Sequence, residues 1–171
     1  VYYDAGVIEE LLEYMDKNPD VANVIPKVYY PNGNLQYLCK MLPSPVELIM
    51  RRFIPFRGVV EYINKRFELH SSGYDKEMNI PYLSGCFMLL RTSHLKDVGL
   101  FDGNIFLHME DLDLNRRLYM KYKTMFYPHT SIVHVHAKES HKRRDQLILH
   151  IKSTIYYFNK WGWFFDGARR K

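Results

Sequence analysis

Apolar residues at positions 7, 8, 11, 12 and 15 recur every three to four residues, the period of a helix that buries one face. Asp4 stands where it can cap the start of that helix, and Asn18-Pro19 marks its end. The pattern then changes. Residues 21–30 are rich in β-branched and aromatic side chains and predict a strand, with Pro26 at an edge or bulge because it lacks the amide a ladder needs. Pro31-Asn-Gly-Asn supplies tight-turn residues, after which residues 35–38 are expected to return as a second strand.

Between residues 41 and 79 the periodicity weakens. Pro43, Pro45 and Pro55 punctuate the stretch, and residues 46–53 predict one short helix carrying Arg51 and Arg52. Residues 70–79 are polar, contain Gly73 and predict a mobile surface loop. Residues 81–91 predict a buried strand, and Ser93 is placed to cap a short helix over 94–98 that Gly99 closes in the left-handed conformation. Leu112, Leu114, Leu118 and Tyr122 share a helical face, which leaves Arg116, Arg117 and Lys121 for solvent. Residues 125–127 and 131–136 predict short strands broken by Pro128. Leu147, Ile148, Ile151, Ile155 and Phe158 mark the stripe of a long last helix that runs into Trp161, Trp163, Phe164 and Phe165. Helices and strands alternate, so the expected class is α/β.

Composition narrows this picture. A chain of 171 residues that is 47% hydrophobic supports one domain, 1–171, with its own core. No internal repeat appears, and no apolar run approaches the ~20 residues that span a bilayer. No stretch has the form of a secretory leader, and two cysteines, Cys39 and Cys86, build no disulfide framework; a reducing compartment is expected. The 24 basic residues outnumber the 19 acidic ones, with the excess mainly after Lys138, a distribution that favours phosphate-bearing ligands or an anionic membrane surface. Nucleic acid ranks lowest as a partner, since no recognition motif accompanies the basic residues.

Three groups of residues carry candidate chemistry. Glu110, Asp111 and Asp113 open a helix and point in different directions, as dipole-favoured first-turn carboxylates or, for the adjacent pair after an apolar loop, as a general base. His134 and His136 alternate with valines, which puts both imidazoles on one face of a strand, as metal ligands or as satisfied core histidines. Lys138, His141, Lys142, Arg143 and Arg144 form a basic run suited to a diphosphate or to a solvated helix start. His129, His141 and His150 have no regular spacing with the pair and are expected at the surface. Two readings stay open: an interaction module packing on a partner or membrane through residues 161–170, and a metal-dependent hydrolase built on His134, His136 and Asp111.

Ser84-Gly-Cys-Phe-Met-Leu-Leu-Arg, Val98-Gly-Leu-Phe-Asp, Phe106-Leu-His-Met-Glu-Asp-Leu-Asp-Leu and Val133-His-Val-His occur in this order. Together they resemble the carboxyl-terminal half of inverting family 2 glycosyltransferases of the GT-A fold, and in particular bacterial rhamnosyltransferases of surface polysaccharide synthesis. The resemblance implies a partial GT-A fold whose amino-terminal nucleotide-binding strands and Asp-x-Asp-like motif are absent from this chain. It implies transfer of a sugar, rhamnose by preference, from a nucleoside-diphosphate donor to a glycan or lipid-linked acceptor. Asp111 is then the general base, Glu110 orients the acceptor, and Gly85 lines the sugar floor. His134 or His136 reaches a divalent cation, Mn or Mg, or the phosphate, while Lys138, Arg143 and Arg144 close over the diphosphate. The 171 residues alone are expected to be weak or inactive, to self-associate through apolar surface bared on the first helix and the Ser84 strand, and to work in the cytoplasm, peripherally at the inner face of the plasma membrane.

Overall fold

A computed structural model describes residues 1–48, 55–106, 109–135 and 144–170. The fold is α/β, as the alternation of patterns predicts, but the sheet is mixed rather than parallel. Its centre is β2 (Val21–Tyr29) and β7 (Lys123–Val133), which run parallel. The short β6 (Leu89–Leu90) adds antiparallel to the outer side of β2. On the outer side of β7, β4 (Met78–Asn79) pairs with its first half and β1 (Tyr2–Tyr3) with its end, both antiparallel.

Both prolines in these long strands sit at the same irregularity. The β2–β7 register slips between Pro26 and Lys27, where residues 128–130 of β7 have no partner, so Pro26 lies at a bulge as predicted. The two short strands expected around Pro128 are one strand that bulges there.

Helix α1 (Val7–Lys17) packs Val7, Leu11 and Met15 onto Val21, Val24, Val28, Met125 and Ile132. Its cap differs from expectation. Gly6 occupies the N-cap with φ 93°, and Asp4 contributes only its backbone carbonyl to Val7 N–H. The register shift between Val21 and Asn23 breaks the alternation of β2, and Ala22 turns to the other face, where it meets Leu114 and Leu118 of α5 (Glu110–Tyr119). The sheet is thus covered on both faces, with the helix that carries the carboxylates forming one cover.

The stretch between these layers departs furthest from its sequence pattern. A turn closed by Tyr30 N–H on the Asn34 carbonyl brings residue 35 back to a single bridge with Tyr29, and pairing resumes only at β3 (Cys39–Lys40), which joins β5 (Tyr82–Leu83) in a separate two-stranded sheet. Of the helix expected over 46–53, α2 (Pro45–Leu48) is described, and Arg51 and Arg52 lie outside the described residues. An unforeseen helix, α3 (Arg57–Phe67), follows and buries Phe67.

Residues 70–79 lie largely at the surface, as expected, but the segment is anchored: Tyr74 is buried, and its hydroxyl accepts from Cys39 N–H and donates toward the Cys39 and Glu68 carbonyls. Tyr74 takes φ 55° after Gly73 to reach that position, a tertiary demand that local polarity does not reveal.

Three further expectations are corrected. The strand predicted over 81–91 is two strands in two sheets, β5 and β6, separated by a turn at Gly85 and Cys86. The short helix is α4 (Thr92–Asp97), preceded by Arg91 with no side-chain cap, although Gly99 does adopt the left-handed conformation after it, φ 79°. The last helix, α6 (Arg144–Trp161), buries Ser153, Thr154, Tyr157 and Phe158, whereas Ile148, Ile151 and Ile155 face outward. No helix among the described residues is long and apolar enough to cross a membrane.

Candidate active site at the start of α5

The turn between β5 and β6 and the first turn of α5 meet at Asp111. Gly85 N–H donates to Asp111 Oδ2 at 2.8 Å, and the Tyr82 hydroxyl approaches the same oxygen at 3.4 Å. Leu112 N–H donates to Oδ1 at 2.8 Å. Gly85 is required by space: a Cβ there would stand 3.0 Å from Asp111 Cβ and 3.2 Å from Oδ2. Of the sequence-predicted residues, Gly85 and Asp111 are therefore brought into direct contact.

Withdrawal from water pushes the Asp111 carboxyl above its ordinary value, and the neighbouring Glu110 charge adds to this. Gly85 N–H, Leu112 N–H and the Lys40 ammonium act in the opposite direction without cancelling it. A carboxylate raised in this way and held by fixed donors has the properties of a general base.

The two flanking carboxylates have other partners. Glu110 Oε2 accepts from Met109 N–H at 2.9 Å, folding back over the helix start. Asp113 has no exposed side-chain surface and is held by Arg117 Nε at 2.8 Å, Lys160 Nζ at 2.9 Å and Trp161 Nε1 at 2.7 Å. It bolts α6 onto α5. Arg117 continues to the Val98, Gly99 and Leu100 carbonyls and so fastens the turn after α4. In that same turn Asp102 pairs with Lys160 at 2.8 Å, and this ammonium holds its carboxyl down at about 2. The Val98-Gly-Leu-Phe-Asp segment thus positions the site helix from outside. Neither Arg116 nor Arg117 is left to solvent: Arg116 is buried against Asp166 and over the Trp161 ring.

Four residues that sequence reasoning missed complete the site. Tyr82 and Lys40 face each other across the β3–β5 ladder, with Lys40 Nζ 5.3 Å from the centre of the Tyr82 ring. Asn115 donates to the Leu83 and Asp111 carbonyls at 2.8 Å each and accepts from Asn23 of β2 at 2.8 Å. This buried amide chain ties sheet, β5 and site helix together. A polar residue inside a strand is its only sequence signal, at Asn23 and again at Lys40.

His134 follows β7 and is fixed to the residue 35–40 segment. Its N–H donates to the Tyr29 carbonyl, its Nδ1 lies 3.2 Å from Gln36 Oε1, and Gln36 Nε2 donates to its carbonyl at 2.7 Å. Gln36 and Lys40 are separated by at most about 14 Å of chain. His136, Lys138 and Arg143, with the Arg144 side chain, lie outside the described residues. Among the described residues, no group of three or more His, Cys, Asp or Glu could hold a metal ion. Both the expected divalent-cation ligands and the His134, His136, Asp111 hydrolase set include His136, which lies outside the described residues. Cys39 and Cys86 are free thiols that burial pushes up to about 12 and about 11.

No family model matches the chain. It is similar to the N-acetylglucosaminyl-diphospho-decaprenol L-rhamnosyltransferase of Mycobacterium tuberculosis, in strains CDC 1551 / Oshkosh and ATCC 25618 / H37Rv, at 27% identity over 164 residues in each. The aligned region takes in 92% of this chain and 52% of those proteins, so the chain spans about half the length of the curated relatives it matches. The resemblance to bacterial rhamnosyltransferases drawn from the sequence motifs agrees with this likeness.

Proposed function

We propose that this chain is the acceptor-side, catalytic-base part of an inverting glycosyltransferase catalytic domain of GT-A type, family 2. The observation that carries the reading is Asp111: a carboxylate pushed upward by burial, aimed by Gly85 N–H, in a chain similar over 92% of its length to a rhamnosyltransferase. The name of that relative supports rhamnose as the transferred sugar and a lipid-linked diphospho-saccharide as the acceptor.

In the proposed reaction Asp111 takes the proton of an acceptor hydroxyl as its oxygen forms a bond to the anomeric carbon. The bond from that carbon to the donor's diphosphate oxygen breaks, and the electron pair leaves with the nucleoside diphosphate. One displacement from the opposite face inverts the centre, so a single positioned carboxylate suffices on this side. Glu110 orients the acceptor, and the Gly85 backbone lines the floor under it. His134 or His136 is proposed to reach the cation or the phosphate, and Lys138, Arg143 and Arg144 to bind the diphosphate. A divalent cation, Mn or Mg, remains part of the proposal, but none of the steps derived for Asp111 runs through it. The setting proposed is the cytoplasmic face of the plasma membrane, with peripheral contact at a lipid-linked acceptor.

The test is acceptor-dependent release of nucleoside diphosphate by the chain extended upstream of Val1, across a panel of sugar nucleotides and lipid-linked acceptors, with chelator and with Asp111→Asn. Release from one donor that disappears in Asp111→Asn supports the reading. Undiminished release in the variant removes Asp111 as base, and no release from any donor by a folded extended chain removes the transferase.

A further inference from the structure

We infer that Tyr82 and Lys40 are positioning residues for Asp111, fixing Oδ2 as the anchored oxygen and leaving Oδ1 as the atom that accepts the proton. The inference rests on the base role proposed for Asp111 and adds which atom acts and what holds it.

An ionised carboxylate offers about four lone-pair sites, two on each oxygen. Oδ2 spends both of its sites inside the protein, one on Gly85 N–H and one on the Tyr82 hydroxyl. Among the described residues Oδ1 accepts only Leu112 N–H, so its second lone pair is the one that remains for a substrate hydroxyl. Among the described residues the phenol of Tyr82 has one hydrogen-bond partner, Asp111, although the residue is buried. A buried hydroxyl at that place serves the carboxylate, because a phenylalanine would fill the same volume without it.

Lys40 enters from the strand beside Tyr82, its ammonium over the phenol ring. Among the described residues, the groups facing Asp111 are Glu110 from its own helix, Lys40 from β3, Tyr82 from β5, the Gly85 and Leu112 amides, and the Cys86 thiol on the turn. Tyr157 of α6 lies beyond the Tyr82 ring. Lys40 is the one cation in this set. Burial and Glu110 favour the protonated form of Asp111, while Lys40 and the two amides favour the ionised form that a base requires; the Tyr82 hydroxyl, as a donor towards Oδ2, acts in the same direction. The balance among them sets the pH at which the base becomes competent.

Three variants separate positioning from packing: Tyr82→Phe, which removes only the hydroxyl, Lys40→Met, and Lys40→Arg, which keeps the charge. Two readouts apply to each. The first is the midpoint of the Asp111 carboxyl titration, followed by carbon NMR on the chain itself. The second is the acid limb of kcat/KM for acceptor-dependent release by the extended chain. Tyr82→Phe and Lys40→Met should both move the midpoint and the acid limb to higher pH and lower kcat about tenfold with donor KM unchanged, and Lys40→Arg should return both towards wild type. Unmoved midpoints in Tyr82→Phe and Lys40→Met overturn the inference, as does Lys40→Arg behaving like Lys40→Met. Full activity in Asp111→Asn instead overturns the base role itself, while the NMR titration continues to report whether Tyr82 and Lys40 control the carboxyl.

Discussion

The backbone of Gly85 approaches the side chain of Asp111 so closely that a methyl group on Gly85 would stand 3.0 Å from Asp111 Cβ. Both partners are fixed, Gly85 in a turn between two strands and Asp111 in the first turn of α5. In Gly85→Ala the carboxylate must therefore yield by a few tenths of an ångström, lengthening its bond to the residue 85 amide. Turnover by the extended chain is expected to fall about tenfold, with donor KM little changed, because misplacement of a reacting group costs rate more than binding. Equal losses in kcat and donor affinity would place Gly85 on the donor instead.

Asp111 should also leave a mark on stability. Its carboxyl is raised in the folded chain, chiefly by burial, so the folded state binds more protons than the unfolded state above the ordinary value of 3.8. The contribution of this group is fully present below that value and is lost as pH rises through the folded pKa. Urea midpoints of the wild type should accordingly fall relative to Asp111→Asn as pH rises from 3.8, then run parallel once the group is ionised. Parallel curves throughout would show that the carboxyl is not raised.

The sequence made the ends of this argument legible and hid the middle. Helical and strand periods located α1, β2, α5 and most of β7 because each buries a continuous face, and the Glu-Asp pair stood out against an apolar loop. Tyr74 is hidden in a polar stretch, since its burial depends on the backbone of Cys39, 35 residues away, as well as on the Glu68 carbonyl. The outward Ile148, Ile151 and Ile155 misdirected the reading of α6, whose buried face instead mixes Ser153 and Thr154 with Tyr157 and Phe158. No local pattern announces Asp166, fifty residues on, as the partner of Arg116. Local periodicity reports on faces, whereas ion pairs and amide chains such as Asn23 to Asn115 are long-range choices.

Asp113 separates scaffold from chemistry within one helix turn. Its carboxylate receives Arg117, Lys160 and Trp161 and has no exposed side-chain surface, so Asp113→Asn leaves two cations facing a neutral amide. We expect a loss of about 2–3 kcal/mol in unfolding free energy. The acid limb of turnover should stay where it is in the wild type, since Asp113 does not face Asp111 among the groups that shift it. A displaced limb with unchanged stability would reverse the two assignments.

The pair that closes the carboxyl-terminal segment is Arg116 with Asp166. Two parallel bonds of 2.7 Å join them, with side chains only 4% exposed, and Arg169 adds a third bond of 2.7 Å to the same carboxylate. Burial alone would raise the Asp166 carboxyl, but the two guanidiniums outweigh it and hold the group below its ordinary value. The sign is therefore opposite to that of Asp111. The contribution of Asp166 is present above 3.8 and lost as pH falls through its depressed pKa. Replacing Asp166 by Asn strands Arg116 in the core beside Tyr157 and Trp161 and should cost about 3–5 kcal/mol at neutral pH. That cost should shrink on acidification below 3.8, where the wild type loses the same charge. A pH series of urea midpoints for wild type and Asp166→Asn checks both the size and the direction: converging curves at low pH support a buried, charge-assisted clamp, and a constant gap would mean that shape rather than charge holds the segment on α5.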